Sequence, residues 1–216
     1  MKLYHGSKSG IVGAIAPTSR SCCDFGRGFY MGEGQRQPLT LICRADNPKL
    51  YELEFDPDGL VVRDIGSDLL WALFVAVNRG AMDAYRNTPL YAKIASFAND
   101  VDVLVGRIAN DRVFQAVQFF FERIITIETL CEVLKAFNLG RQYCAVSQKA
   151  CRNVKILSER VVGPTERANL RLKSDMQRKR ADELTEKIID SRRRTDGLFF
   201  DEICEKHANG EGLPIC

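Results

Sequence analysis

Residues 24–31 read Asp24-Phe25-Gly26-Arg27-Gly28-Phe29-Tyr30-Met31 and place two glycines directly before an aromatic pair. Glycine has no Cβ, so the backbone there can take a positive φ angle or approach a ligand closely. The stretch therefore predicts a turn that leads into a strand or helix whose first aromatic side chain can stack on a flat ring. A glycine-rich turn before an ordinary core strand is the alternative that this stretch leaves open.

The triplet Asp24-Phe25-Gly26 also occurs in protein kinases, where it follows a glycine-rich loop, a strand lysine and a catalytic loop. Only 23 residues precede Asp24 in this chain. We therefore do not expect a protein kinase.

The composition is that of a globular protein, with 216 residues, 45% of them hydrophobic and 27% charged. This length suits one large domain, or one domain with an appendage. The net charge of +3 is too small to indicate a nucleic-acid partner by itself. The sequence contains no recognisable signal peptide and no apolar run of membrane-spanning length, so we expect a cytoplasmic protein.

The eight cysteines are scattered and form no C-x-x-C pair, and His5 and His207 are the only histidines. These numbers and spacings do not match a zinc site. We therefore expect mostly reduced thiols, no disulfide framework and no metal.

Apolar periodicity and turn residues predict a chain of mixed strands and helices. Predicted strands cover 2–7, 39–44, 49–55, 102–108 and 141–147, with a short extended piece at 11–15; a helix is the alternative at 39–44. Predicted helices cover 64–79, with Ser67 as a candidate N-cap, 112–123 and 126–137.

The composition changes after residue 157, and we expect residues 158–216 to form a charged helical extension and a tail. Between residues 167 and 180 six basic residues accompany one acidic residue, Asp175. A solvated helix face is the plain interpretation, and a surface within 167–194 that binds a partner protein or nucleic acid is the alternative. The tail carries one short apolar anchor, Leu198-Phe199-Phe200.

Three blocks together resemble a known pattern: Leu3-Tyr4-His5-Gly6-Ser7 on a first strand, the stretch 24–30, and Gln142 at the head of a late strand. They resemble the ADP-ribosyltransferase fold, in the His-Tyr-Glu branch of diphtheria toxin and the poly-ADP-ribose polymerases. The chain is also similar to a bacterial family of domains of unknown function that shares the first two blocks and the block at 106–112. The resemblance covers residues 2–157.

The resemblance implies an α+β domain over residues 1–157, with a split, mostly antiparallel β-core around an NAD-sized cleft. It implies that His5 binds the nicotinamide-side ribose or the carboxamide, that the Gly6 backbone pairs with the amide, and that Tyr30 stacks on the nicotinamide ring. NAD would be the substrate, and no metal would be needed. The residues implied to bind NAD are His5, Gly6, Ser7, Asp24, Gly26, Gly28, Phe29 and Tyr30.

Gln142 stands where the His-Tyr-Glu pattern has its glutamate, so the implied catalytic set is His5, Tyr30 and Gln142. A neutral amide can accept a hydrogen bond from a ribose hydroxyl but cannot act as a base or offset positive charge. The resemblance thus implies mono-ADP-ribosyl transfer, NAD hydrolysis or binding without turnover, not chain formation. The residues that could supply a carboxylate or bind substrate are Asp24, Asn110, Asp111 and Arg112, with turn and helix-cap structure as the alternative.

We therefore expect an NAD-dependent mono-ADP-ribosyltransferase, a toxin-like effector that modifies an unidentified protein or nucleic acid. A non-catalytic NAD or ADP-ribose-binding module that signals through the C-terminal extension is one alternative. An NAD hydrolase-type effector is another, and a nucleic-acid-associated effector that uses residues 167–180 is a third.

Overall fold

The computed structural model describes residues 1–66, 68–109, 111–136, 140–191 and 197–213, with the backbone alone at Asp68, Asp111 and Arg112. Within these ranges the chain forms one sheet of seven strands and eight α-helices. The prediction of an α+β class is confirmed.

The sheet has the strand order β4-β5-β6-β2-β1-β3-β7. Its strands are β1 (Lys2–Ser7), β2 (Phe29–Gly32), β3 (Lys49–Phe55), β4 (Val62–Asp64), β5 (Val103–Arg107), β6 (Arg141–Ala145) and β7 (Val154–Val161). β4 and β5 are parallel, and every other pair of neighbours in this sheet is antiparallel. The predicted, mostly antiparallel core is therefore confirmed.

The sheet is weakly joined between β1 and β2. β1 pairs with β3 along its whole length, but it pairs with β2 only at Tyr4, opposite Gly32. Beyond this pair the two strands separate, so the centre of the sheet is split where His5 and Gly6 follow Tyr4.

The helices are α1 (Arg36–Ile42), α2 (Asp68–Arg79), α3 (Pro89–Ala95), α4 (Asp111–Phe121), α5 (Ile127–Ala136), α6 (Gln148–Arg152), α7 (Pro164–Ser191) and α8 (Phe200–Ala208). Short 3-10 turns at Asp83–Tyr85 and Ser96–Ala98 flank α3. The predicted helices at 64–79, 112–123 and 126–137 correspond to α2, α4 and α5. The candidate N-cap Ser67 lies outside the described residues.

The apolar core lies on both faces of the sheet. On one face, which we call the helix-covered face, α2 to α5 and α8 pack over β5 and β6, and α1 packs separately over β1 and β3. The opposite face is closed by α6 and by the loop after β1, which contributes Ile11 and Ile15. The helix-covered face thus has two apolar clusters, a large one over β5 and β6 and a smaller one over β1 and β3.

The predicted strand at 39–44 is wrong, because residues 36–42 form helix α1. Leu39 and Ile42 are buried three residues apart, which is helical and not alternating spacing. Pro38 lies in the first turn of the helix, where the missing N–H costs no hydrogen bond. The extended piece predicted at 11–15 forms no strand either; Ile11 and Ile15 pack against the core from a loop.

The C-terminal residues pack closely on the sheet domain. β7 crosses the predicted boundary at residue 157 and continues to Val161. The predicted charged helix is α7, and the predicted apolar anchor begins α8, whose Phe200 is 1% exposed in the main core. The division into 1–157 and 158–216 stays a prediction about sequence units.

Among the described residues, no helix has both the length and the apolar character needed to cross a membrane. Six cysteines in the same residues are free thiols, as expected, but Cys131 is disulfide-bonded. The expectation of mostly reduced cysteines therefore holds with this one exception.

Candidate functional site

Gln142 lies on the helix-covered face between two glycines. Gly32 of β2 and Gly106 of β5 are its direct cross-strand neighbours, so all three residues point to the same face. Because Gly106 has no side chain, Phe25, Ile65 and Trp71 can pack directly over β5 beside Gln142. We call residues 24–28 the glycine loop. A Cβ on Gly106 would lie 2.9 Å from Phe25 Cζ, so this loop packs directly on the row of Gly32, Gln142 and Gly106.

The amide of Gln142 is held by two acceptors. Its Nε2 donates to Asp24 Oδ2 at 2.9 Å and to the Arg107 carbonyl oxygen at 3.1 Å. Since both partners are acceptors, the amide orientation is fixed with the nitrogen toward them. No donor among the described residues contacts the carbonyl oxygen Oε1, which is left to accept a hydrogen bond from a ligand.

Asp24 is a buried carboxylate, 8% exposed, with partners at both oxygens. Its Oδ1 accepts from Nε of Arg79 at 2.9 Å and from a terminal guanidinium nitrogen of the same residue. Its Oδ2 accepts from the Ala109 N–H at 3.3 Å in addition to Gln142. The guanidinium of Arg79 also lies 4.9 Å from the ring centroid of Phe114. The negative charge of Asp24 is thus balanced by a largely buried cation.

The Tyr30 side chain holds the glycine loop in place through two hydrogen bonds. Its hydroxyl donates to the Gly26 carbonyl oxygen at 2.7 Å and accepts from the Phe25 N–H at 2.9 Å. Burial raises the pKa of this phenol above its ordinary value, so the hydroxyl stays a neutral donor. The Tyr30 and Phe25 rings are stacked, with centroids 6.3 Å apart. Gly26 has φ +74°, a conformation that favours glycine.

Gly28 brings the loop into direct contact with β6. Its N–H donates to Ser19 Oγ at 3.0 Å, and a Cβ at this position would lie 2.2 Å from Cys144 Sγ. Burial raises the pKa of the Cys144 thiol, so this sulfur is neutral and serves as packing. The absence of a side chain at Gly28 is therefore a steric requirement.

His5 lies on the opposite face of the sheet from Tyr30 and Gln142. Its ring stacks on Phe29 with centroids 4.3 Å apart. Its Nδ1 lies 2.7 Å from the Tyr30 carbonyl oxygen and so joins β1 to β2 beyond the last ladder pair. The side-chain alternation of β1, which puts His5 on the same face as buried Leu3, explains this placement.

Stability should fall in mild acid because of His5. Burial lowers the pKa of His5 below its ordinary value of 6.5, so the unfolded chain binds the proton first. The stability provided by neutral His5 is complete above pH 6.5 and is lost as pH falls from there through the folded-state pKa. We expect His5→Asn, whose amide can replace the Nδ1 donor, to weaken the pH dependence of urea unfolding between about pH 7 and 5. An unchanged slope in the variant would contradict this assignment.

The structure brings together Asp24, Tyr30 and Gln142, while Gly26 and Gly28 shape the loop that holds them. The other predicted residues lie around this group. Gly6 lies under α1, where a Cβ would be 2.7 Å from the Pro38 carbonyl oxygen. Ser7 Oγ accepts from the Gly10 N–H at 3.0 Å, and Phe29 packs in the opposite core.

Three candidates at the start of α4 are not described at the level of side chains. Asn110 lies outside the described residues, and the side chains of Asp111 and Arg112 do as well. Their predicted part in binding substrate stays a prediction.

Sequence analysis missed Arg79, which it treated only as the end of a helix. The partner of Arg79 is 55 positions away, and no local spacing links the two residues. The available signal was the isolated acidic residue Asp24 in an apolar glycine loop, because a buried carboxylate requires a cation or several donors. Within the described ranges, no group of three or more His, Cys, Asp or Glu side chains is arranged to hold a metal ion.

Comparison with known proteins gives one match. Residues 1–156 match a family described as "Protein of unknown function (DUF3990)". No curated protein and no solved structure matches the chain significantly.

Proposed function

The chain belongs to the DUF3990 family, whose function is unknown, and on that premise we propose that it is an NAD-dependent mono-ADP-ribosyltransferase. The proposed site lies on the helix-covered face between Tyr30 and Gln142. The observation that supports it most is the contact of a buried carboxylate, Asp24, with Gln142 at 2.9 Å beside the split between β1 and β2. Buried, charged groups with fixed orientation are typical of functional sites.

The proposed reaction breaks the bond between ribose C1′ and the nicotinamide nitrogen. Nicotinamide leaves with the bonding electrons, positive charge develops on the ribose, and a nucleophile of the target forms a bond to C1′ and loses its proton. Tyr30 would stack on the nicotinamide ring, and Gln142 Oε1 would accept from a ribose hydroxyl. His5 would act through the backbone, because it fixes the position of the Tyr30 carbonyl.

Asp24 would supply the negative charge that the Gln142 amide lacks. The carboxylate lies one hydrogen bond behind the amide and can polarise it toward the developing positive charge. Arg79 offsets much of this charge. The arrangement therefore favours single, slow transfer over rapid chain formation.

A second candidate function is a module that binds NAD or ADP-ribose without turnover. The observation that favours it is the same ion pair, because a carboxylate neutralised by Arg79 gives little stabilisation to an oxocarbenium-like state. In that case a partner bound at the C-terminal extension would respond to the binding of NAD or ADP-ribose at Tyr30 and Gln142.

The test is release of nicotinamide from NAD by purified protein, with and without cell lysate as a source of targets. We expect release by the wild type and at most about a tenth of that rate in Tyr30→Ala, since the stacking ring is lost. Tyr30→Phe keeps the ring and loses the hydroxyl, so it should retain about a third or more of the rate. Far-UV circular dichroism checks that each variant is folded.

Two results would contradict this proposal, the first the activity itself and the second its assignment to the site at Tyr30. The first is intact NAD and no labelled target while a known transferase works in the same lysate. The second is a rate in Tyr30→Ala equal to that of the wild type. Calorimetric binding of NAD together with the first result would favour the binding module.

A further inference from the structure

A groove between α1 and α7 lies outside the site described above. Its volume is about 520 Å³, and its walls include Arg36, Leu39, Leu170, Lys173, Ser174 and Gln177. This volume is within the range of about 300–1,000 Å³ of small-molecule sites. Since α7 follows the residues that match the family, the groove is formed by the family domain together with this chain's own extension.

The charges of the groove favour an anionic ligand. Arg36 and Lys173 lie on opposite walls, and the residues that line the groove include no carboxylate. No described acidic residue forms an ion pair with either cation, whereas nearby Arg44 is paired with Asp175 at 2.9 Å. Two cations with no acidic neighbour in one groove are suited to a phosphate or carboxylate.

Ser174 adds a hydroxyl to the wall of the groove. It is the most buried residue of α7, with 7% exposure, and it lines the groove. Its hydroxyl makes no hydrogen bond to any residue in the described part of the chain. A hydroxyl on the wall of the groove can donate to a ligand acceptor there.

The walls of the groove are fixed by contacts at the end of α1. Arg171 Nε donates to the Cys43 carbonyl oxygen at 2.9 Å, and Arg167 donates to the carbonyl oxygen of Ala45. Two of the six basic residues in the stretch 167–180 therefore help to hold α7 in place. A preformed site of this kind loses little entropy when a ligand binds.

We propose that the groove binds a free mononucleotide. The phosphate would lie between Arg36 and Lys173 and accept from Ser174 Oγ, and the base would lie against Leu39 and Leu170. Apolar side chains on both walls suit a flat ring, and the paired cations suit the phosphate. The site takes its ligand whether or not the cleft at Tyr30 and Gln142 turns over NAD.

The test is calorimetric titration of the full chain with AMP, adenosine and inorganic phosphate. We expect AMP to bind at least about tenfold more tightly than either fragment, because each fragment keeps only part of the contacts. The double variant Arg36→Gln/Lys173→Gln should weaken AMP binding by about tenfold or more. Lys179→Gln removes one charge from an exposed position of the same helix outside the groove, and it should change affinity by less than about twofold.

Three results would overturn the proposal. If inorganic phosphate binds as tightly as AMP, the base makes no favourable contact in the groove. If Lys179→Gln weakens AMP binding as much as the double variant does, the effect comes from the overall charge of the helix and not from the groove. A third result is that AMP does not bind measurably, while a single-stranded oligonucleotide binds to the wild type and not to the double variant. The groove would then be a nucleic-acid site. AMP affinity unchanged in Tyr30→Ala would show that the result does not depend on the proposed transferase site.

Discussion

Gln142→Glu is expected to destabilise the protein by about 3 kcal/mol at pH 7, because it buries a second carboxylate next to Asp24. The amide nitrogen of Gln142 lies 2.9 Å from Asp24 Oδ2 and 3.1 Å from the Arg107 carbonyl oxygen. In the variant a carboxylate oxygen takes the place of this donor and faces both of these acceptors. Equilibrium unfolding in urea measures the effect. The loss should shrink below about pH 5, where the new carboxyl group is protonated and can donate to Asp24.

The matched control exchanges the two side-chain types in Asp24→Asn/Gln142→Glu. The exchange keeps the net charge and restores one donor facing one acceptor, so it should recover about 1–2 kcal/mol relative to Gln142→Glu alone. Some loss will remain, because Arg79 then faces an amide instead of a carboxylate, and because the Ala109 N–H and the Arg107 carbonyl oxygen keep their present positions. If Gln142→Glu is as stable as the wild type, the hydrogen bond to Asp24 does not hold Gln142 in place.

The same exchange is the sharper activity test. Gln142→Glu alone adds charge where the ribose would lie, but repulsion from Asp24 would move or protonate the new carboxyl group. The exchanged pair can keep its carboxylate ionised at position 142 with an amide behind it. A faster release of nicotinamide by the exchanged protein than by the wild type would support the view that the native amide limits turnover.

The sequence was sufficient to predict the turn and the strands that carry the site. Gly26 and Gly28 indicated a loop with unusual backbone requirements, and the structure gives each a definite reason: a positive φ at one and contact with Cys144 at the other. Apolar residues between turn signals predicted β1, β3 and β5; β5 was predicted as a buried strand, and Val103, Leu104, Val105 and Gly106 are all buried. Asp24 was among the predicted candidates to supply a carboxylate, and the structure places its side chain in contact with that of Gln142.

The parts that the sequence could not predict depend on distant contacts. The ion pair of Asp24 with Arg79 joins the glycine loop to the end of α2. No pattern of apolar or charged residues in the sequence indicates this contact. The face on which His5 lies depends on the register of β1 against β3, which becomes clear only when Leu3 and Leu53 are seen opposite each other. The helix at α8 follows a tail-like composition, and its formation depends on the burial of Phe200 in the core.

Gly28→Val is expected to cost about 4 kcal/mol or more, and Gly28→Ala about 3 kcal/mol, because a Cβ has no room beside β6. The Cβ position lies 2.2 Å from Cys144 Sγ and 3.0 Å from the Ala145 carbonyl oxygen. The φ angle of Gly28 is not in the left-handed region, so the effect is one of space alone. Thermal unfolding measures the loss.

A double-mutant cycle with Cys144→Ala tests the cause, since that change removes the sulfur and leaves the Ala145 carbonyl oxygen in place. Gly28→Ala/Cys144→Ala should be more stable than the sum of the single effects by about 2 kcal/mol. Gly34→Ala is the matched control, because a Cβ there meets nothing within 4 Å and its φ is not positive. It should change stability by less than about 0.5 kcal/mol. Strict additivity in the cycle would mean that Cys144 does not limit residue 28, and the Ala145 carbonyl oxygen would then be the close contact that does.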